Sequence, residues 1–276
     1  MPDERRDHEQ IVGESPFAWK RIAKAMGIEP FSLTVDEVSI VGELHLPEEG
    51  GPSPALCICH GIPSGKPADP ADRGYPHLAE QFCSSGFITA IFNFRGTGTS
   101  GGNFDMMGWG RDIETVLDFL YSRSEVDRSR LCLMGFSGWA AASAYVAAHD
   151  HRVARTVLCA CPAEFRRFIS PQRSDFSIDH FRQIGLIRDE NFPHSLDDWL
   201  NNFREITPIK WIDQISPRPV LILQGENDDL VEASQAWRLY EKAKEPKLIA
   251  IIGGAGHKLR LSDKAMHVAL EWLLET

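Results

Sequence analysis

The sequence lacks a run of about 18 apolar residues, the length a membrane-spanning helix needs, so no transmembrane segment is expected. Its first ten residues, Met1 to Gln10, have no apolar core, which argues against a signal peptide. It also lacks an excess of positive charge. Lys and Arg number 29 against 39 Asp and Glu, and the net charge is −10. Nucleic-acid affinity comes largely from Lys and Arg neutralising phosphates, and here the cations are scattered, so nucleic acid is not an expected partner. The six cysteines form neither a disulfide framework nor a metal-binding spacing. Cys57, Cys59, Cys132, Cys159 and Cys161 sit in or beside apolar runs, where Cys acts as a small buried hydrophobe. A reduced, cytoplasmic protein without cofactor or metal is the expectation. Phosphate-binding signatures are missing too. The loop Arg95–Gly102 is rich in glycine but has neither Gly-x-Gly-x-x-Gly spacing nor a Gly-Lys-Ser/Thr ending, and a structural role is expected for it. No internal repeat or low-complexity segment is visible.

What is present is a rhythm of short apolar runs and amphipathic stretches in a 276-residue chain that is 43% hydrophobic and 25% charged. Residues 1–16 are expected to be mobile and Phe17–Met26 to form a short helix. Phe31–Val35 and Val38–Leu46 alternate apolar and polar residues and read as an antiparallel pair. Strands are then expected at Ala55–Cys59, Phe87–Phe92, Arg130–Met134, Thr156–Cys159, Val220–Leu223 and Leu248–Ile252. Helices are expected at Tyr75–Ser84, Gly110–Ser122, Trp139–His149, Ala233–Lys244 and Asp263–Glu275. Apolar strands alternating with helices predict an α/β fold: a mostly parallel sheet covered on both faces. One interval breaks the rhythm. Between Cys161 and Pro217 no strand is evident, and Phe165, Phe168, Phe176, Phe181, Trp199 and Phe203 occur among many charges. Residues 163–210 read as a helical lid inserted into a single domain, 1–276; plain helices packed on the sheet edge are the alternative.

The residues that carry chemistry follow the strands. Gly135-Phe136-Ser137-Gly138 lies between an apolar run and a helix with six alanines, the layout of a serine lifted on a sharp strand-to-helix turn. The usual glycine two residues after the serine is replaced by Trp139, so either a neighbouring strand carries small residues or the turn is displaced. Active sites of open α/β sheets form at the carboxyl ends of strands. There the chain places His60-Gly61-Ile62-Pro63, Asn93-Phe94-Arg95-Gly96-Thr97-Gly98-Thr99-Ser100, Ser137, Gly225-Glu226-Asn227-Asp228 and Gly253-Gly254-Ala255-Gly256-His257. Serine, acid and histidine occur in that order, one of the known chain orders of the Ser-His-Asp arrangement.

On these motifs, from about Phe31 to the C-terminus, the chain resembles the α/β-hydrolase superfamily, in pattern closest to small bacterial serine esterases and S9/S33-type peptidases. The resemblance implies Ser137 as nucleophile, His257 as general base and Asp228 as its orienting acid. Asp229 is the rival acid, and His60, His77, His149, His151, His180, His194 and His267 are the rival histidines. It also implies an oxyanion hole from the backbone N–H groups of Ile62 and Gly138, with Pro63 keeping Ile62 extended. His60 is expected to order its own loop.

The function so implied is cleavage of a carboxylic ester of a small or medium, largely apolar substrate through an acyl-enzyme. A thioesterase and a serine aminopeptidase or acylpeptidase-like hydrolase share the same machinery. A peptidase that captures free amino termini would need an acidic anchor, for which Glu164 and Asp175 are available. A reading of another class is a non-catalytic binding protein on a hydrolase fold. The partner expected is a small-molecule substrate; a homodimer is left open.

Overall fold

The computed structural model describes residues 27–48, 51–62, 72–165 and 178–275. The helix expected at Phe17–Met26 and the mobile start expected for residues 1–16 lie outside them. The strands are β1 (Gly27–Val35), β2 (Val38–Leu46), β3 (Ser53–Cys59), β4 (Ile88–Phe92), β5 (Val126–Phe136), β6 (Val153–Cys159), β7 (Val220–Gly225) and β8 (Lys247–Ile252). They form one eight-stranded sheet in the order β1-β2-β4-β3-β5-β6-β7-β8. β2 runs antiparallel to β1 and β4, and the pairs from β4 through β8 are parallel. Asp36 and Glu37 close the β1–β2 hairpin with φ of 50° and 65°.

The helices are α1 (Gly74–Ser84), α2 (Met106–Ser122), α3 (Gly138–His149), α4 (Ile178–Gln183), α5 (Leu196–Glu205), α6 (Ala233–Lys242) and α7 (Asp263–Leu274). Side chains alternate across each strand, so β3 sends Leu56 and Ile58 to one face and Ala55, Cys57 and Cys59 to the other. The first face is covered by α1 and α7 and the second by α2, α3 and α6. Both faces of the parallel strands are therefore dry, which is why they read as unbroken apolar runs. α3 lies between the sheet and the chain around Pro208–Gln214, and is buried nearly all round.

α2 starts four residues earlier than its expected start at Gly110. Asp105 caps it, accepting a hydrogen bond from Gly108 N–H at 2.8 Å. Gly108, which fell before the expected helix, has a packing purpose. A Cβ on Gly108 would lie 2.5 Å from the Arg95 side chain. Arg95 needs that space to reach Asp112, which is fully buried on α2. Its Nε and Nη2 donate to Asp112 Oδ1 at 3.0 and 2.7 Å, and its backbone N–H donates to Oδ2 at 2.9 Å. Asp36 meets Nη1 at 3.0 Å, fastening the hairpin to the same cation.

Among the described residues, the segment expected as a lid holds α4, α5 and a 3₁₀ turn at Pro208–Lys210, with irregular chain over 184–195; a second 3₁₀ turn, Ile212–Gln214, follows it. Phe168, Phe176 and Asp175 lie outside the described residues. Phe181, Trp199 and Phe203 are buried, and all three rings meet Phe104, which meets Trp109 on α2 at 4.2 Å. These aromatic groups anchor the insert to the domain core. Arg188 pins the insert to the glycine loop by donating to the carbonyls of Ser100, Gly98 and Gly96 at 2.7, 2.9 and 3.3 Å. The close fit has no room for a side chain at Gly96, where a Cβ would lie 2.4 Å from Leu186 O.

Candidate active site

β5 passes into α3 through Ser137 alone. Its backbone has φ 56° and ψ −128°, a conformation that non-glycine residues adopt only under constraint from their surroundings. The constraint is visible on both sides. Ser137 N–H donates to Cys159 O on β6 at 2.8 Å, and Ser137 O accepts from Ala140 N–H at 3.0 Å. Gly135 allows α3 to cross the strand end closely, since a Cβ there would lie 2.4 Å from the Ser143 hydroxyl and 2.6 Å from Ala140 Cα.

The turn is not displaced by Trp139. The indole is fully buried in the layer between sheet and α2, on the face where β3 presents Ala55, Cys57 and Cys59. The small residues expected from the sequence are there, and the rest of the room comes from α2, whose Trp109 stacks on the indole. His60 and Phe94 close the pocket, with ring centroids 4.9 and 5.3 Å from that of Trp139. His60 Nδ1 lies 3.2 Å from Gly61 O, so this histidine orders its own loop. Burial pulls its imidazole down to about 4.

β7 and β8 bring the acid and the imidazole to the same place. Gly225 ends β7 where the two following loops touch; a Cβ there would lie 2.6 Å from both Ala255 O and Gly256 O. Asn227 N–H donates to Ala255 O at 2.9 Å, locking the loops together. The result is a line of three side chains. Ser137 Oγ is 2.9 Å from His257 Nε2, and His257 Nδ1 is 2.9 and 3.0 Å from the two oxygens of Asp228. Asp228, not Asp229, makes this contact.

The Asp228 side chain has no solvent exposure and that of His257 18%. Burial alone pushes the Asp228 carboxyl up. Hydrogen bonds from His257 and from the Val231 and Leu230 amides outweigh it and hold the group below its ordinary range. One donor was not evident from sequence. Gln224, fully buried on β7, donates through Nε2 to Asp228 Oδ2 at 3.0 Å and to Val231 O at 2.8 Å. Its only sequence signal is a polar residue ending an apolar strand run.

Ile62 and Gly138 are also neighbours: a Cβ on Gly138 would lie 2.9 Å from Ile62 Cδ1. Among the described residues the backbone N–H groups of Ile62 and Gly138 have no hydrogen-bond partner. Pro63 lies outside the described residues. Glu164, offered above as an acidic anchor, is paired with Arg238 at 2.8 Å. Among the described residues no group of three or more His, Cys, Asp or Glu side chains is placed to hold a metal ion, and no helix is long and apolar enough to cross a membrane.

A serine-bearing turn, an imidazole in contact with it and a buried carboxylate on the far side of the imidazole are suited to moving a proton off the serine hydroxyl. Residues 75–276 match the model of the prolyl oligopeptidase family, peptidase S9. The chain belongs to this family. It thereby falls in the α/β-hydrolase superfamily, as its motifs implied. A curated relative in Mycobacterium tuberculosis (strain ATCC 25618 / H37Rv), an uncharacterized protein, is 26% identical over 211 residues, 75% of this chain but only 64% of that protein. Of solved structures, the α/β-hydrolase GrgF from Penicillium sp. sh18 is 18% identical with a TM-score of 0.69, covering 90% of this chain and 98% of that one. Acetyl xylan esterase 1 from Thermoanaerobacterium sp. JW/SL YS485 is 21% identical with a TM-score of 0.65, covering 95% and 87%. At this identity the structural likeness speaks for the fold of the prolyl oligopeptidase family member described here, the mostly parallel sheet flanked by helices.

Proposed function

We propose that this chain is a serine hydrolase that cleaves a carboxylic ester of a small or medium, largely apolar substrate. The observation that carries the reading is the 2.9 Å contact of Ser137 Oγ with an imidazole whose other nitrogen is held by Asp228. His257 Nε2 takes the serine proton as Oγ bonds to the substrate carbonyl carbon. Asp228 keeps Nδ1 protonated and stabilises the imidazolium that forms. The carbonyl oxygen becomes an oxyanion and accepts from the Ile62 and Gly138 N–H groups. Collapse breaks the carbonyl–alkoxy bond, and the departing alcohol takes the proton from His257. Water then attacks the acyl-serine with the same base, which releases the acid and restores Ser137.

Ester cleavage is placed ahead of peptide cleavage at free amino termini because Glu164 is already neutralised by Arg238. That one structural neighbour is an acetyl xylan esterase fits the same choice. The test is labelling by a fluorophosphonate together with hydrolysis of p-nitrophenyl esters of rising acyl length, acyl-CoAs and aminoacyl anilides. Ser137→Ala is expected to abolish labelling and to lower esterase activity on the order of 10³-fold or more. A variant that keeps more than a tenth of the activity removes Ser137 from the mechanism. A folded wild-type protein that does not label is a binding module.

A further inference from the structure

Gly61 is held at both ends of its own residue. Its N–H donates to the Tyr75 hydroxyl at 2.8 Å, and its carbonyl oxygen lies 3.2 Å from His60 Nδ1. The Tyr75 contact holds the His60–Gly61 peptide and the His60 contact holds the next one, so together they fix the two planes that meet at Gly61. The Gly61 carbonyl and the Ile62 N–H belong to one planar unit and point in opposite directions. Fixing the carbonyl therefore aims the N–H. Glycine has the widest freedom of any residue to rotate that unit away. A Cβ at position 61 would lie 3.6 Å from the Tyr75 hydroxyl and 3.8 Å from Ser137 Cβ, so the anchored residue adjoins the nucleophile.

Tyr75 is itself anchored. It stands in the first turn of α1 with its ring edge-on to Phe136, centroids 5.6 Å apart. The Arg260 guanidinium sits 5.0 Å from its ring centroid and forms a close ion pair with Asp72, whose Oδ1 also accepts from Gly74 N–H at 2.9 Å. Arg260 follows His257 by three residues. Burial raises the Tyr75 phenol to about 12, so the hydroxyl keeps its proton and its acceptor character at every ordinary pH.

We propose that Tyr75 is a positioning residue that orients the Gly61–Ile62 peptide for the oxyanion, and that Arg260, held by Asp72, ties this loop to the loop carrying the base. The proposal rests on the acyl-transfer reading above. Tyr75 does not touch the reacting atoms; its effect passes through the backbone of Gly61.

Tyr75→Phe removes the hydroxyl and keeps the ring. kcat for a p-nitrophenyl ester is expected to fall on the order of 10-fold to 100-fold, the scale of a misplaced oxyanion donor. KM, the midpoint of the pH–rate profile and a cooperative thermal transition should stay as in the wild type. Arg260→Gln should lower kcat in the same way by a smaller factor, again with the pH midpoint unmoved. Retention of more than half the wild-type kcat by Tyr75→Phe overturns the proposal. So does a moved pH midpoint with an intact plateau, because Tyr75 would then act through His257. Should Tyr75→Phe lose its cooperative transition, Arg260→Gln decides, and full activity in it overturns the proposal. Ser137→Ala, measured alongside, separates the two ideas: an active Ser137→Ala sinks the hydrolase reading, whereas an inactive one beside an unaffected Tyr75→Phe sinks only the positioning role.

Discussion

Trp139 lies nearly flat against Trp109, with ring centroids 4.1 Å apart and 20° between their planes. The residue that breaks the usual glycine pattern of the turn is therefore part of the joint between α3 and α2. Trp139→Gly, which restores the common pattern, is expected to destabilise the protein by about 3–5 kcal/mol, the cost of emptying a buried aromatic site. Urea unfolding checks it, and a change below about 1 kcal/mol would show the stack to be dispensable.

Gln224→Met removes one of the donors to Asp228 and leaves the Val231 carbonyl without its partner. With fewer hydrogen bonds favouring its charge, the Asp228 carboxyl should titrate at a higher pH. The acid side of the activity profile then moves upward. The loss of stability should be about 1–3 kcal/mol, typical of an unpaired buried group. An unaltered acid limb would separate Gln224 from the function of Asp228.

His60 makes folding sensitive to acid. Its folded value is about 4, below the ordinary value of an unfolded histidine. Between those limits the unfolded chain binds a proton that the folded one refuses. The contribution of neutral His60 is complete above about pH 6.5 and is lost as pH falls towards 4. Of the stability lost between pH 7 and pH 5, about 2 kcal/mol should come from His60. His45, also lowered by burial, adds in the same direction. Urea midpoints of the wild type and His60→Asn at the two pH values measure the difference, and equal losses in the two proteins would refute the assignment.

Asp112→Ala strands Arg95 in the core with only the half-exposed Asp36 to meet it. The expected cost is about 3–5 kcal/mol. Asp36→Ala should cost less than about 1 kcal/mol because Asp36 is half-exposed and Asp112 still meets Arg95. Urea curves of the two variants test the ordering, and an equal cost would mean that Asp112 is not the principal partner.

The inner strands were legible because burial on both faces leaves short apolar runs, bounded by turn residues and rich in Val, Ile and Leu. The site was legible because each of its residues follows a strand, and a parallel sheet delivers such residues to one end. Contacts made across the sequence were not. Nothing near Tyr75 announces Gly61, and nothing around Gln224 says that its amide turns toward Asp228. Trp139 was noticed as a departure, but its answer lies on α2. Gly108 fell before the expected helix because its packing reason, the Arg95 side chain, comes from a different segment. The insert showed its helices and its aromatic content, while composition alone did not say which rings would be taken up by Phe104.

The grip of Arg188 on the glycine loop has a consequence for how the molecule opens. Phe104 N–H donates to Leu186 O at 2.8 Å, and Asn103 Oδ1 accepts from the Arg188 and Asp189 N–H groups at 2.8 and 3.0 Å. The amide protons of Phe104, Arg188 and Asp189 are thus each sealed by a group from the opposite segment. Exchange with deuterium at these positions requires the two segments to part together. Far apart in sequence, they form one cooperative unit, and their protection factors should rise and fall as a set.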